Sequence, residues 1–105
     1  MDRYRMVRDV LRDRDVQQRI AGLYVDWGDA LRSEGDYLAA LETYGRIYFD
    51  VTHPRLWATA DARRVEALCQ WQAALAASGR PEEAGQICEQ LRRQYPEATC
   101  DGCDS

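Results

Sequence analysis

The chain has 105 residues, of which 46% are hydrophobic and 30% charged, with a formal net charge of −4, the make-up of one ordinary globular domain. No apolar run approaches the roughly 20 residues needed to cross a bilayer, and Met1-Asp2-Arg3-Tyr4-Arg5 leads into mixed charge rather than a secretory hydrophobic segment. A cytoplasmic protein without membrane association is expected. The acidic balance also argues against nucleic acid, whose binders carry a basic face that displaces counterions from phosphates.

All 14 basic residues are arginine, which reads as genomic base composition. They alternate with acids, as in Arg8-Asp9 and Arg12-Asp13-Arg14-Asp15, the pattern of a solvated helix face with short-range ion pairs.

No segment alternates apolar and polar residues as a half-buried strand would; the period is helical almost throughout. Residues 3–12 place Tyr4, Val7 and Leu11 on one stripe, with Asp2 as N-cap. A second helix begins near Asp15, where Asp15 and Gln18 have capping-box spacing. It carries Ile20, Leu23, Tyr24, Trp27 and Leu31 and stops at Gly35, a residue suited to the left-handed conformation after a helix. A third runs from Asp36 to about Asp50 with Ala40, Leu41, Tyr44, Ile47 and Tyr48 on one side. Thr52-His53-Pro54 makes the next break, proline being at home in a first helical turn. A long fourth helix then extends to about Ser78 with Trp57, Leu68, Trp71 and Leu75, and Gly79 ends it. Pro81 opens a fifth helix, striped by Ala84, Ile87, Cys88, Leu91 and Tyr95, which Pro96 closes. Residues 97–105 read as a tail.

Two helix–Gly–helix units superpose on their glycines. The first is Tyr24-x-x-Trp27-Gly28-x-x-Leu31-x-x-x-Gly35-Asp36-Tyr37-x-x-Ala40-Leu41-x-x-Tyr44, and the second Leu68-x-x-Trp71-x-x-x-Leu75-x-x-x-Gly79-Arg80-Pro81-x-x-Ala84-x-x-x-Cys88. This pattern resembles the tetratricopeptide repeat (TPR) family over residues 21–96. Gly28 stands at the family's small first-helix position, Ala40 at the small second-helix position and Tyr44 at the aromatic after it. The second unit departs from the pattern: Gln72 replaces the small residue, Cys88 the aromatic, and Gly85 interrupts the helix at a cost of roughly 1 kcal/mol against alanine. Gly35 and Gly79 are 44 residues apart, against about 34 in the standard repeat, and the surplus fits an N-terminal extension of the fourth helix.

The resemblance implies an all-α, single-domain stack of antiparallel hairpins over residues 1–105. Residues 3–12 cap it, residues 15–51 and 54–96 form the hairpins, and residues 97–105 trail. It further implies a non-catalytic adaptor that takes a partner peptide or helix in a groove of first-helix residues. Counting from Gly35 and Gly79, that groove presents Val25, Asp26, Asp29, Arg32 and Ser33 beside Glu66, Cys69, Gln70 and Ala73, with Gly22, Ala76 and Ala77 at its ends. Its acidic edge suits a partner with basic residues flanking small apolar ones. Val25 and Asp29 stand where chaperone-tail clamps carry cationic or amide residues, so that specificity is not implied. Two repeats make a small stack, for which homo-oligomerisation or membership of a longer array is a further expectation.

No phosphate loop, nucleophile elbow or zinc-protease motif occurs, and His53 is the only histidine, so neither an enzyme nor a cofactor is expected. Four cysteines without a secretory signal do not suggest a disulfide framework, and Cys69 and Cys88 read as small apolar residues within helices. Cys100 and Cys103 form a terminal Cys-x-x-Cys that could ligate a metal or close a reversible disulfide. That supplies a competing reading, a thiol- or metal-handling protein on a helical scaffold, with an inert acidic tail as its plain alternative.

Overall fold

A computed structural model describes residues 14–103, which form helices and turns with no strand among them. Helix α1 spans Arg14–Ser33, α2 Tyr37–Gly45, α3 Ile47–Asp50, α4 Pro54–Ala77 and α5 Pro81–Gln94, and a 3-10 turn covers Asp101–Cys103. The all-α class expected from periodicity is the class observed. The expected capping helix over residues 3–12 lies outside the described residues. No helix among the described residues is long and apolar enough to cross a membrane.

Both hairpin turns have the same construction. Gly35 and Gly79 take φ of 84° and 77°, the left-handed region that costs glycine nothing. Around them the Asp36 N–H returns to the Leu31 carbonyl and the Arg80 N–H to the Leu75 carbonyl, each at 2.9 Å. Those bonds satisfy carbonyls that the ended helices would leave unpaired. Asp36 then caps α2 by accepting from the Ala39 N–H, whereas Pro81 starts α5 without needing a donor.

The third helix is divided, where the sequence suggests one unbroken run from Asp36 to Asp50. The Arg46 N–H bonds to the Thr43 carbonyl at 3.2 Å, tightening the turn, and the Phe49 and Asp50 N–H groups resume from the Arg46 carbonyl. Gly45 stands at the division, a poor helix former without a side chain to hold the register.

The core has two parts. The larger joins Ala40, Leu41 and Tyr44 of α2, Ala67 and Leu68 of α4, and Ile87, Cys88 and Leu91 of α5. The smaller joins Ala21, Ile47, Val51 and Ala60 and accounts for the long interval between the hairpin glycines. The extra turns of α4 pack against α3, Ala60 meeting Ile47 and Val51, while the Trp57 indole donates to the Val51 carbonyl at 2.7 Å. Residues Ala40 and Ala60 are fully buried, so small side chains let backbones approach at these crossings.

Candidate functional site

Helices α1 and α4 occupy the same place in successive hairpins, and a ring of charges ties them. Arg32 donates to Glu66 at 3.0 Å and lies 3.6 Å from Asp29; Arg63 reaches Glu66 at 3.3 Å and Asp29 at 3.9 Å. Asp29 also accepts the Tyr44 hydroxyl from beneath. The bond from Arg32 holds the Glu66 carboxyl below its usual range; burial opposes it, and Arg63 adds to the lowering. Alternating cations and anions across two helices fix their relative register better than any one exposed pair could.

This ring sorts the candidate groove residues into two groups. Asp29, Arg32 and Glu66 are engaged within the protein as helix–helix ties. Asp26, Ser33, Gln70 and Ala73 are exposed, and Val25 is half-buried against the smaller core. Gly22, Ala76 and Ala77 are exposed. Arg63 belongs to the face although the hairpin register does not mark it; its position three residues before Glu66 is the one available signal.

The tail departs most from expectation. Tyr95 ends α5, and the Ala98 N–H returns to the Tyr95 carbonyl at 2.9 Å. This reversal at Pro96-Glu97 lays the last residues back on the second hairpin. Cys100 is bonded to Cys69 of α4 and Cys103 to Cys88 of α5, and no cysteine is free. The expectations of unbonded helix cysteines, of no disulfide framework and of an inert tail are therefore corrected. So is the reading of Cys100 and Cys103 as a metal or redox pair: each sulfur is committed to a helix, neither to the other nor to a thiolate site. Local spacing suggests a Cys-x-x-Cys pair, but the chain reversal carries each sulfur to a different helix.

The seat for the tail lies where the second hairpin differs from the first. In the first hairpin the Tyr44 ring lies against Gly28, where a Cβ would come within 2.3 Å of it. In the second hairpin Gln72 and Cys88 stand at those positions. The Gln72 amide donates to the Gly102 carbonyl at 3.4 Å, Cys88 bonds Cys103, and Arg92 donates to the Cys103 carbonyl at 3.1 Å. Tail atoms thus fill space that an aromatic ring fills in the first unit. Cys100 and Cys103 are buried members of the main core, which is not complete at Tyr95.

The residues on the expected helix stripes behave unequally. Ala40, Tyr44, Ala84 and Leu91 are buried as expected, and Trp71 is half-buried, stacked on Tyr37 of the preceding hairpin with centroids 6.2 Å apart. Trp27, its counterpart in the first repeat, is 50% exposed. No described element precedes α1 to cover it, and the Arg46 guanidinium lies over the ring, 5.6 Å from the centroid. His53 is the residue before α4, in extended conformation with its carbonyl accepting the Leu56 N–H, the helix-start position its neighbour Pro54 suggests.

No protein-family model, curated protein or solved structure matches the chain.

Proposed function

We propose that the chain is a non-catalytic interaction module of TPR-like design, which takes a peptide or helix of another protein along the face shared by α1 and α4. The observation that carries this reading is the pairing of those helices. They lie side by side, locked by the Asp29–Arg32–Arg63–Glu66 ring, with small and polar side chains outward on both. A locked register presents one surface to a partner without an ordering cost at binding. Asp26 and the part-exposed Glu66 give the face an acidic edge, which favours a partner with Arg or Lys beside small apolar residues.

The two disulfides bear on compartment. Such bonds persist in oxidising surroundings and are uncommon in a reducing cytosol, so the reading that accommodates them is a protein working in an oxidising compartment. In a cytoplasmic setting the tail would be held only while the bonds survive. Thiol counting on protein taken from its native host separates the two: four free thiols would count against the oxidised setting.

The test of the binding face uses Asp26→Arg with Ala73→Arg, both exposed and outside the charge ring. Affinity capture from the native host should yield a partner for the wild type, and the purified partner should bind the variant at least tenfold more weakly at low salt, where charge effects are largest. Equal binding by a variant with unchanged circular dichroism would assign the contact elsewhere.

A further inference from the structure

The outer face of the first hairpin carries apolar surface that no described element covers. Leu23 is 69% exposed, Trp27 50% and Phe49 88%. Ile20, Leu23, Tyr24 and Trp27 of α1 line one side of a hollow, and Phe49 with Asp50 of α3 forms the other. Phe49 also borders a second depression on its other side, beside Leu38 and Tyr48, so it stands as a ridge between two depressions.

We infer that this face is a self-association surface, on which a second copy of the chain docks about a two-fold axis. Three observations select a second copy as the occupant. The first is shape: the exposed Phe49 lies next to a hollow lined by Tyr24 and Trp27, so two copies facing each other can each offer a ring to the other's hollow. Reciprocity of that kind is what an isologous contact requires. The second is charge. Arg46 over Trp27 and Asp50 beside Tyr24 put one cation and one anion on the rim, so a two-fold can set Arg46 of each copy against Asp50 of the other. A partner of a single charge sign gains no such match.

The third is size and closure. Leu23, Trp27 and Phe49 together leave roughly 400 Å² in water, about half of the roughly 800 Å² that a standard specific interface buries per partner. Inside the chain, the corresponding surface of the second hairpin is covered, Trp71 stacking on Tyr37. At the opposite end the stapled tail seals the second hairpin. Head-to-head pairing therefore closes at two copies and does not propagate into a filament. This surface is separate from the α1–α4 face proposed for a partner, and it stands or falls independently of it.

Sedimentation velocity on the oxidised full chain, from about 1 µM to about 1 mM, tests the inference. A reversible monomer–dimer equilibrium with Kd of roughly 1–100 µM is expected for an interface of this size. Phe49→Glu should weaken it at least tenfold with an unchanged melting temperature, since an 88% exposed ring contributes little to the fold. Leu23→Lys provides the same test should the first variant fold poorly. Wild type that stays monomeric across the range overturns the proposal, as does a folded Phe49→Glu or Leu23→Lys chain that dimerises as tightly as wild type.

Discussion

Gly28 and Gly85 both lie inside helices, and their surroundings give them opposite effects on stability. A Cβ on Gly28 would lie 2.3 Å from the Tyr44 ring, which is fully buried, whereas a Cβ on Gly85 meets nothing within 4 Å. Gly28→Ala is therefore expected to destabilise by about 1–3 kcal/mol through overpacking, and Gly85→Ala to stabilise by about 1 kcal/mol through helix propensity. Urea unfolding of the oxidised protein measures both, and a stabilising Gly28→Ala would contradict the contact with Tyr44. Ala40→Leu, at a position with no exposed surface, should cost a similar 1–3 kcal/mol. Gly28 and Ala40 were legible because the resemblance to the tetratricopeptide pattern implies small residues at those positions. Trp27 was not, because periodicity gives the stripe a residue lies on but not whether another element arrives to cover that stripe.

At the scale of elements, helix spans follow from caps, prolines and the two hairpin glycines, all local signals. The tail has no such signal. Residues Cys100 and Cys103 are three apart in sequence, and nothing local to them specifies Cys69, thirty-one residues away, and Cys88, fifteen away, as partners. The relevant hint is indirect: the second hairpin carries Gln72 and Cys88 where the first carries Gly28 and Tyr44, so its core needs atoms from elsewhere. Closing a fifteen-residue loop is worth about 3 kcal/mol in the chain-entropy account, with the longer loop adding to it. Cys100→Ser with Cys103→Ser is accordingly expected to lower stability by at least about 3 kcal/mol, through lost cross-links and the loss of two buried core residues. Wild type melted in a dithiol reductant should fall to nearly the temperature of the double variant. A variant that melts like oxidised wild type would show that the tail contributes nothing to the fold.

Across the whole molecule, successive helices are tied by tyrosine hydroxyls donating to aspartates: Tyr44 of α2 to Asp29 of α1, Tyr24 of α1 to Asp50 of α3, and Tyr48 of α3 to Asp61 of α4. Tyr48 also meets the Tyr95 hydroxyl just beyond α5 at 3.3 Å, so the set runs from the first described helix to the last. Burial first, and then the hydrogen bond to its carboxylate, raises the Tyr44 phenol well above the usual tyrosine range, and the same two causes raise Tyr48. A phenolate at either place would face an aspartate at close range, and it could no longer donate. The folded chain thus keeps both tyrosines neutral at pH values where the unfolded chain, titrating near 10, ionises them. A group whose native pKa is raised contributes stability that is intact below the unfolded value and lost as pH rises past it. The melting temperature should therefore hold steady to about pH 9 and fall progressively above about pH 10. Tyr44→Phe and Tyr48→Phe should each start from a lower melting temperature at neutral pH and show a shallower alkaline decline. Arginine stays protonated throughout this range, and with no free cysteine no native thiol titrates, which leaves the tyrosines as the main groups to act. Phenolate absorbance recorded alongside circular dichroism decides the matter: if Tyr44 and Tyr48 ionise near pH 10 while the helical signal is undiminished, the tyrosine–aspartate ties do not hold the helices together.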